Sequence, residues 1–215
     1  MTAPPAPPEA LRQRGYAVLR GIYDAADRAH LAHRLDALVA AVDRPADAWG
    51  VEVVPLLERA PDLAPYLDRP SLVEGVSAAL GAPARRLYDG ARFTGRGQGG
   101  FLPWHFHADL AGGDGRWDPA RPGAPPRVER VVVTAYLDGA TPETGPLWVL
   151  PRAEGDPWRP PLADPGVPWP GQVELHLDPG DVAIWDVATF HAAWCRRGPR
   201  RIFGGIYGRA DAPTP

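Results

Sequence analysis

The chain has 215 residues, 45% of them hydrophobic, and a formal net charge of −3. That length supports one full hydrophobic core and is short for two, so a single domain over 1–215 is expected. The charge balance gives no basic field for nucleic acid, no run of about 18 apolar residues marks a membrane span, and the start "MTAPPAPPEALRQRG" has no signal-peptide character.

These exclusions lead to a cytoplasmic protein with a small-molecule partner, no nucleic-acid or membrane partner, and a monomeric or homodimeric state. The single cysteine, Cys195, rules out an internal disulfide framework and a multi-cysteine zinc site, and is read as a small hydrophobe rather than a nucleophile. Neither Lys nor Asn occurs, and all 23 basic residues are Arg, which removes Walker-type phosphate loops and Schiff-base chemistry. A cation that grips an anionic cosubstrate must therefore be an arginine.

In chain order, residues 1–10 form a Pro-rich leader and "GYAVLRGIY" (15–23) reads as a strand. Residues 24–42 read as a helix: Leu31, Leu35, Leu38, Val39 and Val42 recur at spacings of three and four, with Asp24 as N-cap. His30 and His33 lie on this helix and are read as solvent-exposed or packed rather than as ligands. A second helix is predicted over 71–81, where Ser71 and Glu74 have capping-box spacing and Gly81 suits the left-handed C-terminal position. Beyond it, residues 85–95, 128–138, 146–150, 172–177, 182–186 and 201–207 are short β-branched or aromatic runs separated by Gly and Pro. The pattern predicts a mainly β fold with flanking helices, a jelly roll of the double-stranded β-helix type. The Pro- and Gly-rich connections 111–127 and 155–171 are too irregular for regular elements, and the second, with Trp158 and Trp169, is expected to form a lid loop.

The stretch "LPWHFHADL" (102–110) places His105, His107 and Asp109 at every second position. In an extended strand all three point the same way, so spacing alone does not choose between them. With six His and 18 Asp in 215 residues, roughly 0.5 His-x-Asp pairs arise by chance, so context has to carry the reading. The context is "LDPGDVAIWDVATFHAAW" (177–194), where a Pro-Gly-Asp turn feeds an apolar strand and His191 follows. Two imidazoles and a carboxylate from distant strands make the facial triad of a non-haem Fe(II) centre, with open positions for a bidentate 2-oxo acid and O2. In "RRGPRRIFGGIYGR", Arg200 and Arg201 enter the next strand with opposite parity, so only one can face the interior and grip the far carboxylate of the 2-oxo acid.

These segments, together and in this order, resemble the phytanoyl-CoA dioxygenase family of Fe(II)/2-oxoglutarate oxygenases. "GYAVLRGIYDAADRAHLAHRLDALV" is similar to that family's first strand and helix, "WHFHADL" to its Trp-His-x-Asp-Leu segment, "ETGPLWVLP" (143–151) to its Asn-Gly-Pro-Leu stretch, and "PGDVAIWDVATFHAA" to the strand with its distal histidine. The resemblance implies Fe(II), 2-oxoglutarate and O2 as cofactors and His107, Asp109 and His191 as the metal-binding, catalytic set. Arg200, in preference to Arg201, then binds 2-oxoglutarate, with Thr134 beside it. His105, Trp104 and Trp194 become candidates for substrate contact. The chain departs from the pattern at "LPRAEGDP", in place of Pro-Gly-Ser-His, and at "HAAWCRRG", where the distal histidine stands closer to the arginine.

Hydroxylation of a small, natural-product type substrate with release of succinate and CO2 is the expected reaction. Desaturation, epoxidation or ring closure would draw on the same oxidant. Two other readings stay open: a cupin-type metal protein using His105, His107 and His191, and a metal-free jelly-roll binding module.

Overall fold

Two antiparallel sheets face each other across the interior of the molecule, which is a jelly roll rather than a closed barrel. The computed structural model describes residues 6–42, 50–95, 100–107, 129–153, 159–196 and 198–211. In chain order the elements are α1 (Pro7–Arg14), β1 (Tyr16–Leu19), α2 (Ala25–Ala40), β2 (Val51–Val53), α3 (Leu56–Arg59), a 3-10 turn (Pro61–Leu63), α4 (Ala64–Leu67) and α5 (Pro70–Leu80). The strands β3 (Ala84–Thr94), β4 (Phe101–His105), β5 (Arg130–Tyr136), β6 (Leu147–Val149), β7 (Val173–Leu175), β8 (Val182–Asp186), β9 (His191–Trp194) and β10 (Arg200–Arg209) follow. The larger sheet has the order β1-β8-β5-β10-β3-β2 and the smaller β4-β9-β6-β7.

The period-two pattern of the central strands explains this layering. On β5, Val131, Val133 and Ala135 join Val182, Ile184 and Phe203 in a core covered by the helices, through Leu31, Leu35, Leu63, Leu72 and Val76. The alternate residues Val132 and Tyr136 face the smaller sheet with Ala183, Trp185, Leu147 and Ile206. A third cluster, Trp104, Phe106, Trp148, Trp169 and Phe190, lies on the outer face of the smaller sheet.

Local chemistry matches the sequence signals in several places. Asp24 caps α2, its carboxylate accepting from the Asp27 N–H while Asp27 returns the bond. Gly81 ends α5 at φ 65°. Gly145, at φ 107°, passes so close to Trp194 that a Cβ there would stand 1.4 Å from its carbonyl oxygen, which fixes glycine in "ETGPLW" and lets the turn before β6 press against β9.

Other expectations are corrected. Ser71 and Glu74 form no capping box: α5 begins at Pro70, whose fixed φ suits the first helical position, so Ser71 is already inside the helix and its N-cap, Arg69, has no side-chain cap bond. The Pro-rich leader gives way by Pro7 to α1, and β2, α3 and α4 were not anticipated. The connection 111–127 and Trp158 lie outside the described residues. The described part of the expected lid, 159–171, packs as a strap on the outer face of β4. Trp169 stacks on Trp104 with ring centroids 4.8 Å apart at 7°. Trp104 donates through Nε1 to the Val167 carbonyl and through its backbone N–H to that of Pro165.

This strap anchors β4 from behind. Replacing Trp169 by Ala should lower unfolding free energy by about 3 kcal/mol, the usual scale for deleting a buried aromatic, with the urea midpoint as the measurement.

Candidate metal centre

Strand β4 does not alternate regularly. Its pairing with β9 runs Phe101 to Trp194 and Leu102 to Ala193, then shifts so that His105 lies opposite His191. One extra residue is thus accommodated around Pro103 and Trp104, a bulge at a position where proline costs no ladder bond. The bulge turns both Leu102 and His105 toward the interior, while Trp104 goes outward to Trp169. His107 follows on the inner side, its backbone N–H held by the Val187 carbonyl at 2.7 Å.

The three imidazoles consequently meet. His105 and His191 have ring centroids 4.1 Å apart, and His107 Nε2 lies 3.1 Å from His191 Nε2. One ligand atom from each of the three residues lies within 4.8 Å of the others. Two nitrogens bound at about 2.1 Å to one metal at right angles are about 3.0 Å apart, so the His107–His191 spacing is that of a chelating pair. The other ring nitrogens are anchored: His191 Nδ1 contacts the Thr189 carbonyl at 3.0 Å and His105 Nδ1 the Pro103 carbonyl at 2.7 Å. A carbonyl only accepts, so each Nδ1 carries the proton and each Nε2 presents a lone pair, the arrangement in which metal-binding histidines are usually held. Burial keeps the rings neutral, pushing His191 well below the ordinary histidine range, His107 down to about 3, and His105 in the same direction.

The histidines open onto a cavity of about 400 Å³ between the sheets. On its opposite wall are Thr134 and Tyr136 of β5 and Arg200 of β10. Arg200 is only 7% exposed, and its guanidinium lies 5.1 Å from the centroid of the Tyr136 ring and 3.4 Å from the Tyr136 hydroxyl. Among the described residues its Nε has no hydrogen-bond partner and no carboxylate pairs with it. A buried cation without a counter-ion is costly unless an anion reaches it.

The family match decides the class of this site: the model of the phytanoyl-CoA dioxygenase family matches residues 11–201, most of the chain. The chain belongs to that family. Phytanoyl-CoA dioxygenase family members are Fe(II)/2-oxoglutarate-dependent oxygenases, and the solved structures similar to this one have the same fold. SnoN, an α-ketoglutarate-dependent epimerase from nogalamycin biosynthesis, is 18% identical with a TM-score of 0.71, over 96% of this chain and 83% of that one. EctD from S. alaskensis is 20% identical with a TM-score of 0.70, over 100% and 81%. EvdO2 from Micromonospora carbonacea var. aurantiaca is 23% identical with a TM-score of 0.69, over 100% and 96%. No curated protein matches significantly in sequence.

In this phytanoyl-CoA dioxygenase relative, the fold brings His105, His107, His191, Thr134 and Arg200 to one cavity. Asp109 lies outside the described residues. Arg201 does not reach the cavity: its parity points it to the helix side, where it bonds to Asp138 through Nη2 at 2.5 Å and to Asp36 of α2 through Nη1 at 3.0 Å. Trp104 and Trp194 are not at the cavity either. Trp104 is buried under the strap, and Trp194, 37% exposed, packs on Phe101 and Trp148 with Arg196 over its ring. Sequence reasoning missed Tyr136 and Cys195, which also line the cavity. Tyr136 was accessible through its spacing of two from Thr134; Cys195 carried no such signal.

The opposite settings of the two arginines predict opposite phenotypes. Arg201→Ala should cost about 2 kcal/mol of stability through loss of its charge-assisted bonds, measured by urea denaturation, while leaving cosubstrate affinity near that of the wild type.

Proposed function

We propose that this protein is an Fe(II)/2-oxoglutarate-dependent oxygenase that hydroxylates a small molecule, with His107 and His191 on the iron and Arg200 on the cosubstrate. The carrying observation is the 3.1 Å approach of His107 Nε2 to His191 Nε2 in a cavity shared with Arg200, a buried guanidinium with which no carboxylate among the described residues pairs. His107 and His191 belong to either ligand set; the third donor is Asp109 in the set that the resemblance implies and His105 in the set that the fold gathers. When bound, iron with 2-oxoglutarate and O2 supplies the oxidant that converts a C–H bond to C–OH, the cosubstrate leaving as succinate and CO2.

The chain's own residues account for the rest. Arg200 offers two parallel N–H donors to the far carboxylate of 2-oxoglutarate, and the Tyr136 and Thr134 hydroxyls stand on the same wall to complete its hydrogen bonds. Burial holds Tyr136 above the ordinary phenol range, so it donates as a neutral group. Leu102, Leu147, Ile202 and Ile206 add apolar lining beside the polar Glu52, Arg92 and Thr94, which suits a small organic substrate with a polar group. Structures similar to this one support a natural-product setting: one is an epimerase of nogalamycin biosynthesis, and another holds 5-hydroxyectoine with 2-oxoglutarate.

Anaerobic addition of Fe(II) and 2-oxoglutarate should produce the weak visible charge-transfer band of a chelated 2-oxo acid, and its absence at saturating cosubstrate overturns the reading. In the same titration Arg200→Ala should weaken 2-oxoglutarate binding by roughly tenfold to a hundredfold, the equivalent of about 1.5–3 kcal/mol of charge-assisted hydrogen bonding.

A further inference from the structure

We infer that the inner face of β3 and β10 holds a substrate subsite for an uncharged, flat ring system bearing hydroxyl groups, with Gly90 and Gly204 as its floor, Tyr88 against the ring and the Glu52–Arg92 pair on the hydroxyls. The inference rests on the oxygenase reading above and names the substrate class of that site.

The register supplies the floor. Arg92 lies opposite Ile202, Gly90 opposite Gly204 and Tyr88 opposite Ile206, and all six line the cavity. Two rows that carry side chains thus flank one that carries none on either strand, and that row resumes with Thr134 on β5. The flanking rows are four residues apart along each strand, about 13 Å at the usual rise, which leaves room for a fused ring pair on bare backbone between them. The two glycines stand there for different reasons. At 204 a Cβ would be 1.9 Å from the Val133 carbonyl oxygen, so the close approach of β5 requires glycine. At 90 strand packing does not require it: a Cβ would first meet the side chains of Val54, at 3.1 Å, and Tyr88, at 3.5 Å. Glycine inside a strand gives up packing, and it marks a place where a ligand comes close to the backbone.

The flanking side chains set the shape. Tyr88 is 42% exposed although it lines the cavity, and Ile206 is its cross-strand neighbour. An aromatic ring beside a flat apolar strip favours a second ring, stacked on it or edge-on to it.

Charge sets the polarity. The arginines and carboxylates among the described lining residues are Arg200, which faces the cosubstrate in the reading above, and Glu52 and Arg92. Glu52 and Arg92 are paired across β2 and β3, with Arg92 Nη2 3.3 Å from Glu52 Oε2, so their end of the cavity has no net charge to draw an ion. A hydroxyl both donates and accepts, so it can donate to Glu52 and accept from Arg92 without parting them. A charged group of either sign has to displace one member of the pair. Burial, and then the Glu52 carboxylate, push the Tyr88 phenol up, so it adds a neutral donor at the same end.

The test uses the full-length protein with Fe(II) and 2-oxoglutarate in the absence of O2, titrated calorimetrically with 2-naphthol, 2-naphthoate, 2-naphthylmethylammonium and decahydro-2-naphthol. The first is flat, neutral and hydroxyl-bearing; the others change its charge or its flatness. 2-Naphthol should bind about tenfold more tightly than each of the other three. Gly90→Ala, which fills the strip, and Tyr88→Leu, which removes the ring, should each weaken 2-naphthol about fivefold while keeping the cosubstrate charge-transfer band, which a misfolded variant would lose. Glu52→Gln, which frees Arg92, should raise 2-naphthoate affinity about fivefold. The inference is overturned by 2-naphthol that does not bind, that binds no better than the other probes, or that binds Gly90→Ala and Tyr88→Leu as it binds wild type. Unchanged 2-naphthoate affinity in Glu52→Gln overturns it too, and in all these cases the band in the wild type keeps the oxygenase reading. Absence of that band from the wild type overturns the oxygenase reading and, with it, the assignment of this ligand as a substrate.

Discussion

The site depends on one irregularity, the extra residue in β4 at Pro103 and Trp104. A strand presents alternate residues to opposite faces, and without an insertion Leu102 and His105, three apart, could not both face the interior. The bulge removes that conflict, and the stack of Trp104 on Trp169, with two hydrogen bonds to the strap, holds it in place. The aromatic cluster outside the smaller sheet thus has a positional role: it fixes which histidines meet His191 on the inside.

The second constraint is parity on β10. Arg200 shares a face with Ile202 and Ile206, toward the cavity, and Arg201 shares one with Phe203, toward the helices. Two adjacent residues of the same type therefore have unrelated work. Arg201 is satisfied by Asp138 and Asp36 and ties the sheet to α2, whereas Arg200 is buried against a ring and a hydroxyl, with no carboxylate among the described residues beside it. An Arg-only composition makes such a division possible, because the guanidinium tolerates both settings while staying charged.

Much of the fold was legible in the sequence because it follows from period and capping. The strands 182–186, 128–138 and 85–95 emerge nearly at their predicted limits, and Asp24 and Gly81 act as their positions require. Short helices such as Leu56–Arg59 were not legible, since one turn gives no periodicity to detect. Of the residues that line the cavity, His107 and His191 were singled out by motif, Arg200 by parity and Thr134 with the resemblance. The facing of His105 was not, because it hinges on a bulge, and a proline in a strand marks such a place without saying which way the chain resumes. The outward facing of Trp104 and the position of the 159–171 strap were hidden for the same reason.

The burial of Arg200 is the feature that links stability to function. A buried guanidinium that no carboxylate among the described residues pairs with carries a desolvation cost, and the surrounding sheet holds it in position. β10 does this by pairing on both sides, with β3 through Arg200 and Thr94 and with β5 from Ile202 onward. On the proposed reading, a dicarboxylate that reached Arg200 would relieve that cost, so its affinity would include this relief as well as the new hydrogen bonds. Whatever binds the folded state alone also stabilises it by mass action, and Arg200 stands on β10, one of the two central strands of the larger sheet. If the cosubstrate binds there as proposed, it would brace the cavity wall formed by Thr134, Tyr136 and Arg200, opposite the histidines.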